Sequence, residues 1–188
     1  LTVSGGRLPV GQYMAIYRSA FALTGNPDFG LFVGRLTYFT GLNLQLYMTT
    51  ISRNLREYLN LIPNTQNLRG DLGQVLVKPE GDYIRLEWHP ADECTSRWRC
   101  LSDEMLASSA LIVGSICSLP VPVAAAQFSY SQPDDLQQLE SLFGNNLSFD
   151  CEVSCLYFSR DCLRYPLVAL DYELGREFTA APQSLFDS

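Results

Sequence analysis

Between residues 23 and 31 the chain reads Leu23-Thr24-Gly25-Asn26-Pro27-Asp28-Phe29-Gly30-Leu31, and this run fixes two helices at once. Upstream, Tyr13, Ile16, Tyr17, Ala20 and Leu23 recur at helical spacing, which predicts an amphipathic helix over 10–24. Gly25 stands where a helix ends in the left-handed conformation, a position that costs glycine least. Pro27 then suits the first turn of a second helix over 27–36, because its missing N–H would have had no partner there. Phe29, Phe32, Val33 and Leu36 are the expected inner face of that helix.

An apolar segment over 42–49 reads as a third helix. A fourth is expected from Ser52 as N-cap through Leu55, Tyr58, Leu59 and Ile62, with Pro63 as its stop. The pattern then changes period. Gln74–Lys78 and Tyr83–His89 alternate as strands around Pro79-Glu80-Gly81-Asp82, which is hairpin chemistry. On the second strand Ile84, Leu86 and Trp88 share one face, and Tyr83, Arg85, Glu87 and His89 the other. A long helix from about Ser96 to Ser118 follows, its stripe marked by Trp98, Leu101, Met105, Ile112 and Ile116, with Pro120 and Pro122 beyond it. Strand Val123–Tyr130, helix Asp134–Phe143 and strand Leu147–Phe158 complete the order. N-terminal helices followed by ββαβαβ imply an α+β fold, an antiparallel sheet backed by helices. Residues 1–167 are expected to form one domain. The polar, proline-bearing stretch from Tyr165 to Ser188 reads as a linker, with the domain boundary placed at 168–188.

Charge narrows the function. Lys plus Arg number 13 against 20 Asp plus Glu, a net charge of -7, whereas a duplex-binding module needs clustered positive charge. These residues are therefore not expected to hold DNA themselves. No apolar run reaches the length of a membrane span, and no signal peptide is evident, so no membrane partner and a cytoplasmic location are expected. The six cysteines at 94, 100, 117, 151, 155 and 162 read as reduced, mostly buried thiols. Low overall charge in a chain that is 47% hydrophobic implies a surface covered by a partner, a second domain or a symmetry mate; a homodimer is expected.

Several segments in order are similar to one family. Arg7-Leu8-Pro9, the Thr24–Leu31 turn and Thr50-Ile51-Ser52-Arg53-Asn54-Leu55 lie in the first third. Ala125-Ala126-Gln127-Phe128-Ser129-Tyr130, Leu142–Phe149 and Leu163-Arg164-Tyr165-Pro166-Leu167 lie in the last. Together they resemble the N-terminal domain of AraC/XylS-type transcription regulators, over residues 7 to 167. The resemblance implies a sensor or dimerisation domain that responds to a small-molecule effector, with DNA read only by a helix-turn-helix half outside this chain. The chain begins at Leu1 rather than Met, and it is read as a piece of a longer protein. The resemblance carries over no ligand and no ligand-binding residue. Arabinose is not adopted either, because the arabinose sensor of that family is a jelly roll and this chain has too many helices for one. The element order is also similar to haem-nitric-oxide-binding and vinyl-reductase-like sensors, which makes a stand-alone sensor an alternative. A ligand-free dimerisation module is another.

The chemistry-bearing residues point to no enzyme. His89, the only histidine, ends a strand before Pro90, with no Gly-x-Ser-x-Gly elbow to partner it. Cys151 and Cys155 on one strand stand about 13 Å apart, too far to share a tetrahedral metal. No metal and no cofactor are expected. The adjacent acids Asp92-Glu93, Asp103-Glu104 and Asp134-Asp135 read as solvated, as does Glu87 beside Arg85. Trp88, Trp98 and Tyr130 are the candidate effector-binding residues. The two tryptophans flank the start of the long helix, where they would either wall an apolar pocket between sheet and helix or serve simply as core anchors.

Overall fold

In the computed structural model the described residues are 8–40, 42–69, 71–92 and 98–168. Arg7, Cys94 and the expected linker residues 169–188 lie outside them. The first helix, α1 (Val10–Thr24), ends as its sequence requires: Gly25 has φ 59, and its N–H reaches Phe21 O at 3.0 Å. Its inner face is rotated from the expected one. Met14 and Tyr17 are buried, while Ile16 and Leu23 are 61% and 88% exposed. Aromatic packing decides the choice. Tyr17 and Phe21 meet Phe29 and Trp98 edge-on or tilted at 5.3–6.3 Å, contacts that Ile16 and Leu23 do not offer.

Helix α2 (Phe29–Thr40) follows a turn in which Asp28 N–H donates to Asn26 Oδ1 at 2.9 Å. Here half of the sequence stripe faces away: Phe32 and Leu36 are exposed, while Phe29 and Val33 are half-buried. The inner face is Gly30, Leu31 and Gly34. A Cβ on Gly30 would stand 2.2 Å from Cys100 O, and one on Gly34 2.6 Å from Glu104 O. The two backbones touch, so the smallest side chains are required. The next helices are α3 (Leu42–Thr50) and α4 (Leu55–Arg69). Asn54, not Ser52, caps α4: Glu57 N–H donates to Asn54 Oδ1, and Arg53 N–H donates to Glu57 Oε2. This reciprocal box satisfies two backbone donors. Pro63 sits inside α4 instead of ending it. Burial of Leu55, Tyr58, Leu59 and Ile62 offsets the roughly 3 kcal/mol such a proline costs.

The sheet contains β1 (Gly73–Glu80), β2 (Tyr83–Pro90), β3 (Ala125–Gln127), β4 (Leu147–Ser148) and β5 (Ser154–Ser159), in the order β1-β2-β5-β3-β4. All neighbours are antiparallel except β3 and β4, which are parallel. The expected strand Leu147–Phe158 is two strands, broken where Asp150 takes φ 55. The expected Val123–Tyr130 shrinks to three residues. The fold is α+β. Ile84, Leu86 and Trp88 face the core as expected, beside Leu156, Phe158 and Phe128.

Helix α5 (Arg99–Ile116) lies between α2 and the sheet and is buried on nearly every face. The expected exposure of Asp103 and Glu104 is therefore wrong: they are 0% and 5% exposed. After α6 (Gln137–Phe143) and β5, a 3-10 turn spans Arg160–Arg164. The chain then stays attached instead of leaving at Tyr165. Pro166 bridges Asn54 and Leu167 bridges Cys117, and Val168 N–H donates to Ile116 O at 2.7 Å. Cys100, Cys117, Cys155 and Cys162 are buried free thiols. No helix among the described residues is long and apolar enough to cross a membrane.

Candidate functional site

Strand β5 starts at Ser154, opposite Trp88, while β2 continues through His89 and Pro90. The two residues beyond the last pair open a cleft of about 570 Å³ at the end of the sheet. The hairpin supplies Lys78, Arg85, Glu87 and His89, α5 supplies Ser102, and the β3 and β5 ends supply Ser129 and Ser154. Its volume falls in the range of small-ligand sites.

The cleft is organised around Glu87. Lys78 and Arg85 stand directly opposite each other across β1 and β2, a like-charge pairing that is unfavourable alone. Glu87, one step along the same face, offsets both. Lys78 Nζ and His89 Nε2 lie 2.7 and 2.6 Å from Glu87 Oε2, and Arg85 Nε lies 3.2 Å from Oε1. Burial would push this carboxyl up, but hydrogen bonds from Lys78 and His89 and the Arg85 charge hold it below its ordinary range. Glu87 is 3% exposed, against the expected solvated residue, because its partners fold over it. Ser129 N–H donates to Ser154 Oγ, and the two hydroxyls lie 3.0 Å apart. Trp88 Nε1 is buried with no partner among the described residues, an uncommon state for an indole N–H.

A second polar group lies under the N-terminal helices. Arg99 pairs with Asp103 at 3.0 Å and with Asp28 at 2.9 Å, and Tyr130 donates to the other Asp103 oxygen. Burial lifts the Asp103 carboxyl to about 6, against the opposing Tyr130 hydrogen bond and Arg99 charge. Glu104 accepts from Thr37 at 3.1 Å and from Tyr13 at 3.3 Å. Burial raises it as well, opposed only by hydroxyl donors.

Of the three candidate effector residues, the cleft is lined by Trp88. Trp98 packs between Tyr17 and Phe21 with the Arg18 guanidinium 4.9 Å above its ring. Tyr130 stacks in the Phe128–Phe149 cluster. Arg99 links Trp98 and Tyr130: it follows the first and lies 5.2 Å over the second. Glu87, Asp103 and Glu104 were missed by sequence reading. For the last two a signal was present: small and apolar residues occupy every face of 100–116, the mark of a helix buried all round.

Helices layered on a mixed sheet of this order form a fold already seen in a transcription regulator. The crystal structure of the transcriptional regulator CdpR from Pseudomonas aeruginosa matches with a TM-score of 0.67 at 15% identity, over 88% of this chain. The chain spans 53% of that protein's length. No match was found among curated proteins. The family model described as the N-terminal arabinose-binding domain of AraC transcription regulators matches residues 1–167. The chain belongs to that family, the sensing domains of transcription regulators.

Proposed function

We propose that this domain senses a small, neutral, hydroxyl-rich molecule in the cleft at the end of β2 and relays its presence along α5. One observation carries the reading. Helix α5 brings Ser102 to the cleft near one end, and at its other end Ile116 O holds Val168 N–H. A single buried element thus joins the cleft to the segment from which the chain continues. Such a relay needs an effector that binds one arrangement of α5 better than another.

The lining suits hydroxyls. The Glu87 charge is already balanced by cations, and the serines donate and accept. Arabinose, named in the family description, serves only as one probe among sugars and polyols, because this helix-rich fold is not a jelly roll. Trp98 and Tyr130 would respond through Arg99 and Asp103 rather than by touching the effector. DNA would be read by a further half of the regulator, in the cytoplasm. The exposed Ile16, Leu23, Phe32 and Leu36 of α1 and α2 favour this face as the surface of a homodimer. Calorimetric titration with arabinose and related sugars tests the reading. Saturable binding that is lost in Glu87→Gln and Ser102→Ala supports it. Binding that survives both changes places the effector elsewhere.

A further inference from the structure

A second cleft lies at the opposite, hairpin-tip end of the sheet. It is an open cleft of about 400 Å³ lined by Arg56, Asp82, Ser159, Arg160, Asp161 and Arg164. Three distant segments meet there: the first turn of α4, the β1–β2 turn and the 3-10 turn after β5. Two backbone hydrogen bonds set the meeting, Arg160 N–H to Asp82 O at 2.8 Å and Leu55 N–H to Tyr165 O at 3.1 Å. In a chain with 20 acidic and 13 basic residues, three arginines against two aspartates is a local reversal of charge.

The arginines are weakly committed. Arg56 has no ion pair among the described residues. Arg160 Nη1 donates to Gly81 O at 3.3 Å. Arg164 pairs with Asp161 at 3.0 Å, but both side chains are more than three-quarters exposed, and water screens an exposed pair of this kind. Ser159 Oγ accepts from Asp161 N–H, which leaves its own proton to donate. Guanidinium forks and a hydroxyl around a small cleft match the oxygens of a phosphate group. The volume suits a small molecule, and the net charge of -7 opposes a duplex. We infer that this cleft binds a small phosphate-bearing metabolite, at a site separate from the effector cleft and independent of that reading. Its wall adjoins Tyr165 and Pro166, so an occupant would lie against the segment that leads out of the domain.

The test is phosphorus NMR and calorimetry of the 188-residue chain with glycerol 3-phosphate and inorganic phosphate, and with glycerol as control. Saturable binding of glycerol 3-phosphate is expected, weakened about tenfold by Arg56→Gln or Arg160→Gln and unchanged by Lys78→Gln in the other cleft. Both arginines are exposed, and circular dichroism confirms that the variants fold. Tighter binding of glycerol 3-phosphate than of phosphate supports a metabolite, and equal binding supports the free anion as source. No saturation below about 10 mM, or binding that survives both arginine changes, overturns the inference. A short DNA duplex that displaces the phosphate probe also overturns it.

Discussion

Glu87 and Asp103 are both removed from water, yet the two ends of the molecule treat their charges in opposite ways. At the sheet end, Glu87 meets Lys78, Arg85 and His89 and is held below its ordinary range. Under the helices, Asp103 shares one arginine with Asp28 and is lifted by burial, while Glu104 has hydroxyl donors alone and is lifted as well. Burial is common to all three; the supply of cations decides the direction. The regions also differ in how they close. The helix layer is joined by backbone contact at Gly30 and Gly34, whereas the sheet end is held by side-chain charge and stays open.

The largest effect is expected in the helix layer. Gly30→Ala would drive a Cβ into the Cys100 carbonyl and should cost about 3 kcal/mol or more in denaturant unfolding. Gly81→Ala, with φ 58 but no atom near its Cβ, should cost about 1–2 kcal/mol. Equal losses would remove the distinction between a crowded contact and a strained turn.

Next come the carboxylates. Glu87→Gln removes the charge that Lys78 and Arg85 share, leaving Arg85 with Glu80 at 3.2 Å and Lys78 with water, and should cost about 1–2 kcal/mol. Glu104→Gln keeps one acceptor oxygen, within reach of both Thr37 and Tyr13, and discards a desolvated charge, so it should be within about 0.5 kcal/mol of the parent at neutral pH. Similar losses at both sites would break the comparison.

The pH dependence sharpens it further. The folded Asp103 carboxyl sits at about 6 against an ordinary 3.8. Between these values the native state keeps a proton that the unfolded state has lost, so this group lowers stability as pH rises through that window. Glu104 acts with the same sign. Glu87, lowered in the folded state, contributes stability above its ordinary 4.5 that is lost as pH falls through its folded value. Stability should therefore rise by about 1–2 kcal/mol from pH 7 to 5 and fall again at lower pH. Asp103→Asn should flatten the rise and leave the acid fall. A small effect is also expected for Lys78→Ala. Lys78 is 52% exposed, and its loss should cost about 0.5 kcal/mol, less at high salt.

Local signals in the sequence located the elements well. Gly25 ended α1, the β1–β2 hairpin formed at its turn, and the Ile84, Leu86 and Trp88 face was legible from alternation alone. What failed depends on partners distant in sequence. The face of α2 was misread because Phe32 and Leu36 look like a stripe, while Gly30 and Gly34 make sense only beside α5. Asp103 and Glu104 are polar in sequence and buried only because α1, α2 and Tyr130 close over them. The cleft was not legible because it exists where β5 starts at Ser154 while β2 runs on to Pro90, a pairing between strands distant in sequence. Pro63 passed unbroken through α4 because the tertiary burial of its neighbours outweighs a local penalty.

Central to the functional reading is a relay from the cleft through α5 to Val168. Hydrogen exchange of the chain with and without a saturating sugar ligand tests it most directly. The expected result is slowed exchange at His89 and Ser102 together with a change at Ser118 and Val168, where the exit segment is tied to the end of α5. Protection confined to the cleft, with Ser118 and Val168 unchanged at saturation, would contradict the relay.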